Sequence, residues 1–180
     1  MSSFDIVSKL FHEHIEHLSL SADAIADVCD QAAGLITNAI ISEKKLFSIG
    51  VGLDKATAVS FSHLIREGVW LERPNLPVLE LTADRAQSVD SSVAWIAREI
   101  TSLGQSEDVA IIWGSQLDSD NIALLYEVAQ ERGIQSIWIG AQGPTMSLSF
   151  SEAENHTTYG LTALTAITLA RAVENHLFGT

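Results

Sequence analysis

The most constraining feature of the sequence is one stretch that changes from a strand pattern to a helix pattern. Residues 46–51 form a short, mostly apolar segment, as a buried strand requires. Gly50 and Gly52 then break the strand pattern. From Asp54 onward apolar residues return at helical spacing, and Asp54 is a suitable N-cap or first-turn residue. We therefore predict a strand, a Gly-x-Gly turn and a helix, a unit that points backbone N–H groups at an anion.

The Gly-x-Gly turn does not identify a ligand by itself. The third glycine of a dinucleotide fingerprint is missing, and so is the Gly-Lys-Ser/Thr sequence of a P-loop. Asp54 also places a carboxylate where a phosphate needs a hydroxyl group, and Lys55 offsets that charge only in part. A plain turn and a ligand-binding loop both stay open at this point.

Further along the chain, strand and helix patterns alternate. Predicted strands cover residues 78–81, 109–113 and 137–139, with a short edge strand at 146–150, and predicted helices cover 91–103, a segment ending near 131, and 157–178. Strands that are nearly all apolar belong to parallel sheets buried on both faces. The alternation therefore predicts an α/β fold with a parallel sheet. Ligands of such sheets bind beyond the carboxyl ends of the strands, here near Gly52 and Ser115.

The two ends of the chain predict an oligomer. An apolar helical stripe runs from residue 4 to 18, and Ser21 is expected to cap a second helix that reaches residue 39. The last helix is apolar on nearly every side, and a helix of that kind is buried. We predict a single domain over residues 1–180, in which 1–42 form helices for oligomerisation and 43–180 form the α/β core.

Charge and cysteine content exclude several classes of protein. The formal net charge is −13, which disfavours direct binding to nucleic acid or to anionic membranes. Cys29 is the single cysteine, so no intramolecular disulfide is expected. The sequence shows no apolar run near 20 residues and no signal-peptide pattern, so we predict a cytoplasmic protein. The first helix carries His12, His14 and His17, of which His14 and His17 share a face, but the sequence offers no obvious third ligand for that pair and no metal site is predicted there.

The order of these parts resembles the sugar isomerase (SIS) domain, and more narrowly the sedoheptulose 7-phosphate (phosphoheptose) isomerases and the related DnaA initiator-associating protein. The resemblance covers almost the whole chain. It rests on segments 46–52, 72–77, 81–84 and 108–109, with Phe61, Ser115, Ser119, Ile122 and the Leu177-Phe178 end. It implies a three-layer α/β sandwich of flavodoxin-like topology, a homotetramer, and a sugar phosphate bound in a cleft between subunits.

The resemblance also assigns candidate ligand-binding residues. The first family loop, Gly-Asn-Gly-Gly/Thr-Ser, corresponds to residues 50–54, and the second, Ser-Thr-Ser/Arg-Gly-Asn-Ser, corresponds to residues 114–119. The substrate-binding candidates are Gly50, Gly52, Asp54, Lys55, Ser115 and Ser119. Asp54 and Asp118 replace a serine and an asparagine of the family. Two unit charges about 4 Å apart repel by roughly 1 kcal/mol in water and about 4 kcal/mol at an effective dielectric of 20, so these carboxylates oppose a phosphate.

The catalytic positions differ more strongly from the family pattern. The isomerases hold zinc and move a proton with a His and a Glu on the central helix and a Gln and a His on the last helix. These positions fall here on Ser60, Leu64, Tyr159 and either Thr162 or Ile167, none of which is a good base or a usual zinc ligand. His63 lies one residue from the glutamate position, which turns it by about 100° around the helix. We therefore predict no catalytic residue, no metal and no cofactor.

Three hypotheses follow from the sequence. The first is a non-catalytic, oligomeric SIS protein that binds a sugar phosphate and acts as a scaffold, with a replication initiator protein as a candidate partner. The second is a phosphoheptose isomerase-like enzyme with an altered active site, which uses His63 or the Glu72-Arg73 loop with Lys55. The third is a structural assembly that has lost its ligand. The sequence favours the first.

Overall fold

The computed structural model of the chain describes residues 2–68, 70–83, 88–150 and 153–179. It contains a five-stranded parallel sheet with helices on both faces, so the predicted three-layer α/β fold is confirmed. The strands are β1 (Leu46–Gly50), β2 (Leu79–Thr82), β3 (Val109–Trp113), β4 (Gln135–Ile139) and β5 (Met146–Leu148). The helices are α1 (Ser3–Ile41), α2 (Lys55–Glu67), α3 (Val89–Leu103), α4 (Ser119–Glu131) and α5 (Asn155–Phe178).

The strand order determines where a ligand site is expected. The order is β2-β1-β3-β4-β5, and every neighbouring pair is parallel. The chain therefore builds outward from β1 to β2 and then crosses to the other side of β1 to place β3. Sheets with this flavodoxin-like order bind ligands in the crevice beyond the carboxyl ends of β1 and β3, where the direction of winding reverses.

Strand residues alternate between two hydrophobic cores. Val109, Ile111 and Trp113 of β3 face the core shared by α1, α2 and α5. Ala110 and Ile112 face the opposite core, which contains side chains of α3 and α4. This alternation with a period of two keeps all five residues of β3 buried, as a central parallel strand requires.

The N-terminal region is one helix of 39 residues, so the prediction of two helices with Ser21 as a cap was wrong. The helix begins with a capping box between Ser2 and Asp5. Its first glycine is Gly34, and a serine inside a helix costs only a few tenths of a kcal/mol, about 0.5, relative to alanine. Ser21 therefore leaves the helix intact.

Helix α1 is also the one described helix that is long and apolar enough to cross a membrane by length and composition. Its second half packs against α5 and buries Ile25, Ala32 and Ile36 in the hydrophobic core. Packing of this kind accounts for the apolar composition of that half without a membrane.

Candidate functional site

The β1 loop brings the first set of predicted site residues to the carboxyl edge of the sheet. A Cβ atom at Gly50 would lie 2.7 Å from backbone atoms of Asp54 and Lys55, so only glycine fits there. Gly52 has a φ of +61°, which favours glycine as well, and it begins a 3-10 turn that ends at Asp54. The two glycines thus fold the chain tightly enough for the turn to contact the loop after β3.

The carboxylate of Asp54 binds the β3 loop instead of capping α2. Asp54 stands at the N-cap position of α2, as predicted, but its side chain makes no cap hydrogen bond. Its Oδ2 atom accepts hydrogen bonds from the backbone N–H and the hydroxyl group of Ser115, at 2.7 Å and 2.6 Å. An internal carboxylate therefore occupies two donors that an anion would use.

A second contact closes the same crevice. The Oε1 atom of Gln116 accepts a hydrogen bond of 3.0 Å from the backbone N–H of Leu53. A Cβ atom at Gly52 would collide with this same Oε1 atom, so the glycine also makes room for the amide. Together, Asp54 and Gln116 tie the β1 and β3 loops to each other at the point where the winding of the sheet reverses.

Asp54 is an unusual carboxylate in electrostatic terms. It is fully buried, and its Oδ1 atom has no hydrogen-bond partner in the described part of the chain. Burial raises the pKa of Asp54, and the hydrogen bonds from Ser115 lower it by less. A buried carboxyl group with a raised pKa at the edge of a sheet where ligands bind is a candidate functional group.

A cavity of about 370 Å³ lies beside Ser115, between the β3 and β4 loops and the start of α5. Its size is at the lower end of the range for small-molecule sites, about 300–1,000 Å³. Its lining includes Ser115, Gly140, Phe150 and Thr158. A Cβ atom at Gly140 would lie 2.9 Å from the Oγ1 atom of Thr162 and 3.1 Å from the nitrogen of Ser115, so α5 and two loops converge at this glycine.

Other predicted residues lie at the edge of this arrangement. The Nζ atom of Lys55 donates a hydrogen bond of 2.6 Å to the carbonyl of Ala83, and among the described ion pairs none joins Lys55 to Asp54. Ser119 is exposed in the first turn of α4. Asp118 caps α4 by accepting a hydrogen bond of 2.9 Å from the nitrogen of Asn121, so its charge is used by the helix.

Comparisons with known proteins identify the family of the chain. No family model matches the chain. A phosphoheptose isomerase of Halorhodospira halophila is 30% identical over 159 residues, which cover 84% of this chain and 79% of that protein. The chain belongs to the phosphoheptose isomerase family. A second phosphoheptose isomerase, from Alkalilimnicola ehrlichii, is 28% identical over 99% of both chains.

The fold of the phosphoheptose isomerases is shared along the whole chain. A solved phosphoheptose isomerase structure from Francisella tularensis matches with a TM-score of 0.85, covering 97% of this chain and 100% of that one at 21% identity. The predicted resemblance to SIS-type phosphoheptose isomerases is thus confirmed. The resemblance segment 81–84 ends at Asp84, which lies outside the described residues.

The zinc ligands implied by the phosphoheptose isomerase family do not fit this chain. Ser60 is exposed, Leu64 is half-buried and apolar, and Ile167 is 44% exposed. Tyr159 is half-buried, and Thr162 is fully buried. Hydroxyl and aliphatic side chains are not usual zinc ligands, so these positions hold no zinc site of the family type.

Arg73 and His63, which the sequence suggested for an altered active site, make other contacts. The side chain of Arg73 is 1% exposed and pairs with Glu174 at 2.8 Å, and its guanidinium also donates to the carbonyls of Leu64 and Ile65. This pair fastens the C-terminus of α2 to α5. His63 is exposed and lies 3.4 Å from Glu67 on the same helix.

The sequence reasoning missed two features of the site, the contact of Gln116 and the location of Thr162. Gln116 was not selected, because a glutamine in a loop has no signature and its partner Leu53 is 63 residues away. The hydroxyl of Thr162 is buried without a hydrogen-bond partner among the described residues, close to Gly140. The position of Thr162 came from the resemblance, but its location beside Ser115 required the packing of α5.

Proposed function

We propose that this chain binds a phosphorylated aldose or ketose beyond the carboxyl ends of β1, β3 and β4 and interconverts the two forms, as a phosphoheptose isomerase with an altered active site. The observation that supports it is the convergence of the β1 loop, the β3 loop and α5 around Ser115, next to a cavity. The relatives named phosphoheptose isomerase extend this proposal to a seven-carbon substrate.

The proposal needs a base, and among the described residues of the site Asp54 is the candidate. Aldose–ketose isomerisation removes a proton from carbon 2 of the aldose and returns one to carbon 1, while a hydroxyl proton moves from O2 to O1. A base works best when its pKa lies near the working pH, and burial raises the pKa of Asp54 in that direction. Because Asp54 is fully buried, the loop of residues 50–54 has to open for the substrate to reach it.

The activity is tested with the purified full chain and sedoheptulose 7-phosphate, followed by proton exchange at carbons 1 and 2 in NMR spectra, with and without added Zn²⁺. We expect slow turnover that is lost in Asp54→Asn. An Asp118→Asn variant is the control, because that carboxylate caps a helix and should keep the activity. Absence of any exchange at saturating substrate would contradict the isomerase proposal.

A second candidate is a binding protein without turnover. It is favoured by the residues at the catalytic positions of the family, Ser60, Leu64 and Tyr159, none of which is a good base or a usual zinc ligand. Calorimetry with sedoheptulose 7-phosphate separates the isomerase from the binding protein. Binding without proton exchange supports the binding protein, and absence of binding contradicts both hypotheses. The resemblance to the initiator-associating protein adds a replication initiator as a proposed partner, and a pull-down without an initiator would count against it.

The proposal includes assembly into a homo-oligomer, with a tetramer as the expected form. Phe4, Val7, Phe11 and Ile15 form one stripe on α1, and each is between 51% and 79% exposed. Leu164 and Ile167 of α5 are also exposed, so the two helices leave apolar surface that a second copy would cover. Sedimentation of the chain at micromolar concentration tests this. A double change of Phe11 and Ile15 to glutamate should yield monomers, and a monomeric unmodified chain would contradict the assembly.

A further inference from the structure

We propose that Glu13, Glu154 and His156 form a Zn²⁺ site between the first half of α1 and the start of α5. One ligand atom from each of the three residues lies within 4.8 Å of the other two. The site is separate from the positions at which the phosphoheptose isomerase family would hold zinc. It does not depend on the proposed isomerase activity.

The contact between Glu13 and His156 already has the spacing of two zinc ligands. The Oε2 atom of Glu13 lies 3.4 Å from the Nε2 atom of His156. A tetrahedral Zn²⁺ with bonds of about 2.0–2.2 Å holds its ligand atoms about 3.3–3.6 Å apart. An ion on the open side of this pair therefore needs little movement of either side chain.

Glu154 supplies the second carboxylate. It stands at the N-cap position of α5, yet its side chain makes no cap hydrogen bond. Its Oε2 atom lies instead 3.5 Å from Nδ1 of His156, on the other side of the ring. Because the Glu154 side chain is 70% exposed, it can rotate toward the Nε2 side and complete a site with two carboxylates and one imidazole.

His14 lies next to the cluster but outside the group whose ligand atoms are within 4.8 Å of one another, so its ring would have to move to reach an ion. Its ring lies 5.8 Å from the ring of His156, centroid to centroid. Its Nδ1 atom is 2.8 Å from the carbonyl of Leu10, and a proton on Nδ1 leaves the lone pair of Nε2 free. Metal-binding histidines commonly donate their second ring N–H to a backbone carbonyl in this way. A Cβ atom at position 160 would lie 2.6 Å from this Nε2, so Gly160 makes room for the imidazole.

The charge of the cluster favours a cation. Two carboxylates meet there, and the cationic side chain next to them is Lys9, whose Nζ lies 3.4 Å from the Oε1 atom of Glu13. The Lys9 side chain is 63% exposed and contacts the oxygen that does not face His156. A divalent ion would thus balance the charge of the two carboxylates without displacing the lysine.

The experiment measures zinc bound to the purified full chain after dialysis, together with a titration of Co²⁺ followed by its visible absorption. We expect about one Zn²⁺ per chain and a tetrahedral Co²⁺ spectrum. His156→Ala and Glu13→Gln should each lower the affinity at least ~10-fold, which is the range for changes at metal sites. Thermal unfolding without metal checks that both variants fold.

A matched control is His176→Ala. His176 of α5 lies 3.0 Å from a carboxylate oxygen of Asp30 on α1, so it makes the same kind of contact between the same two helices. No third ligand joins this pair among the described residues. The control should keep the full zinc content and affinity. Less than ~0.2 Zn²⁺ per unmodified chain, or equal losses in His156→Ala and His176→Ala, would overturn the proposal.

Discussion

Two buried aspartates at opposite edges of the sheet join the same two strands, β1 and β3, in different ways. At the amino edge, Asp108 accepts hydrogen bonds of 2.8 Å from the backbone nitrogens of Lys45 and Gln105, and its Oδ2 atom lies 3.0 Å from the ammonium of Lys45. At the carboxyl edge, Asp54 uses one oxygen for Ser115 and leaves the other without a partner among the described residues. Both side chains are fully buried.

The two aspartates differ in how many of their carboxylate oxygens are hydrogen-bonded. Both oxygens of Asp108 are occupied, which joins the starts of β1 and β3 in one arrangement. Asp54 joins the ends of the same two strands, but a buried oxygen without a partner costs free energy. An unsatisfied buried group of this kind suggests a role beyond folding. The comparison therefore assigns the amino edge to stability and supports the proposal that the carboxyl edge binds a ligand.

The largest expected effect is that of Asp108→Ala. The backbone nitrogens of Lys45 and Gln105 would lose their acceptor in a buried position, which costs about 1–3 kcal/mol for each group. We expect the free energy of unfolding to fall by about 3 kcal/mol in urea titrations.

The matched control for this prediction is Lys45→Met, which keeps the apolar stem and both backbone hydrogen bonds. The ammonium group is partly exposed, so its loss should cost less than about 1 kcal/mol. Equal losses in the two variants would show that the ion pair, and not the backbone contacts, stabilises this edge.

Asp54→Asn should have a smaller effect that depends on pH. The pKa of Asp54 is raised in the folded chain by burial, from an ordinary value of 3.8, so the folded state binds the proton more tightly than the unfolded state. The stability of the unmodified chain should therefore fall as pH rises from about 4 through the folded pKa. The amide of the substituted side chain cannot ionise, so the variant should lack this fall.

Urea unfolding at about pH 4 and about pH 7 measures the effect, and we expect the variant to be more stable at the higher pH by on the order of 1 kcal/mol. Asp118→Asn is the control, since Asp118 is exposed and its contacts lie within α4. If both variants show the same pH dependence as the unmodified chain, burial of Asp54 does not destabilise its charged form.

The sequence predicted most of the fold because the strands are local apolar runs bounded by glycine and charged residues. The residues 46–52 show both the strand and the turn, and Ser115 follows an equally apolar strand. The parallel order follows from the alternation of strands and helices. The length of α1 was missed because Ser21, taken by itself, is a typical N-cap residue. The packing of α1 on α5 supports one continuous helix instead.

The site was predicted less completely because its contacts join residues that are distant in sequence. Asp54 and Ser115 are 61 residues apart, so no local pattern shows that the carboxylate accepts from both groups of the serine. The sequence led us to expect repulsion between Asp118 and a phosphate, but the structure shows that Asp118 caps α4. His156 was not considered as a ligand because its partner Glu13 lies on the first helix.

Asp118→Ala tests whether the second aspartate of the β3 loop belongs to the helix. Loss of an aspartate N-cap costs about 1 kcal/mol, and urea unfolding should show a change of that size. Affinity for a sugar phosphate should stay the same, because the carboxylate is bound to Asn121. A gain in affinity, measured by calorimetry, would show that Asp118 opposes the ligand as its charge alone suggests.

The smallest expected effect is that of Gln116→Ala at the carboxyl edge. The change removes one exposed hydrogen bond, so the free energy of unfolding should fall by only about 0.5 kcal/mol. It also frees the backbone N–H of Leu53, which can then bind an anion at the start of α2. We expect calorimetry to show about three-fold tighter binding of inorganic phosphate, which corresponds to roughly 0.7 kcal/mol.

Gln105→Ala, which removes a hydrogen bond to Lys45 at the amino edge, should cost similar stability and leave phosphate binding unchanged. Equal phosphate affinities in the two variants would mean that the N–H of Leu53 is not part of the binding site, and the difference between the two edges would then rest on Asp54 and Ser115.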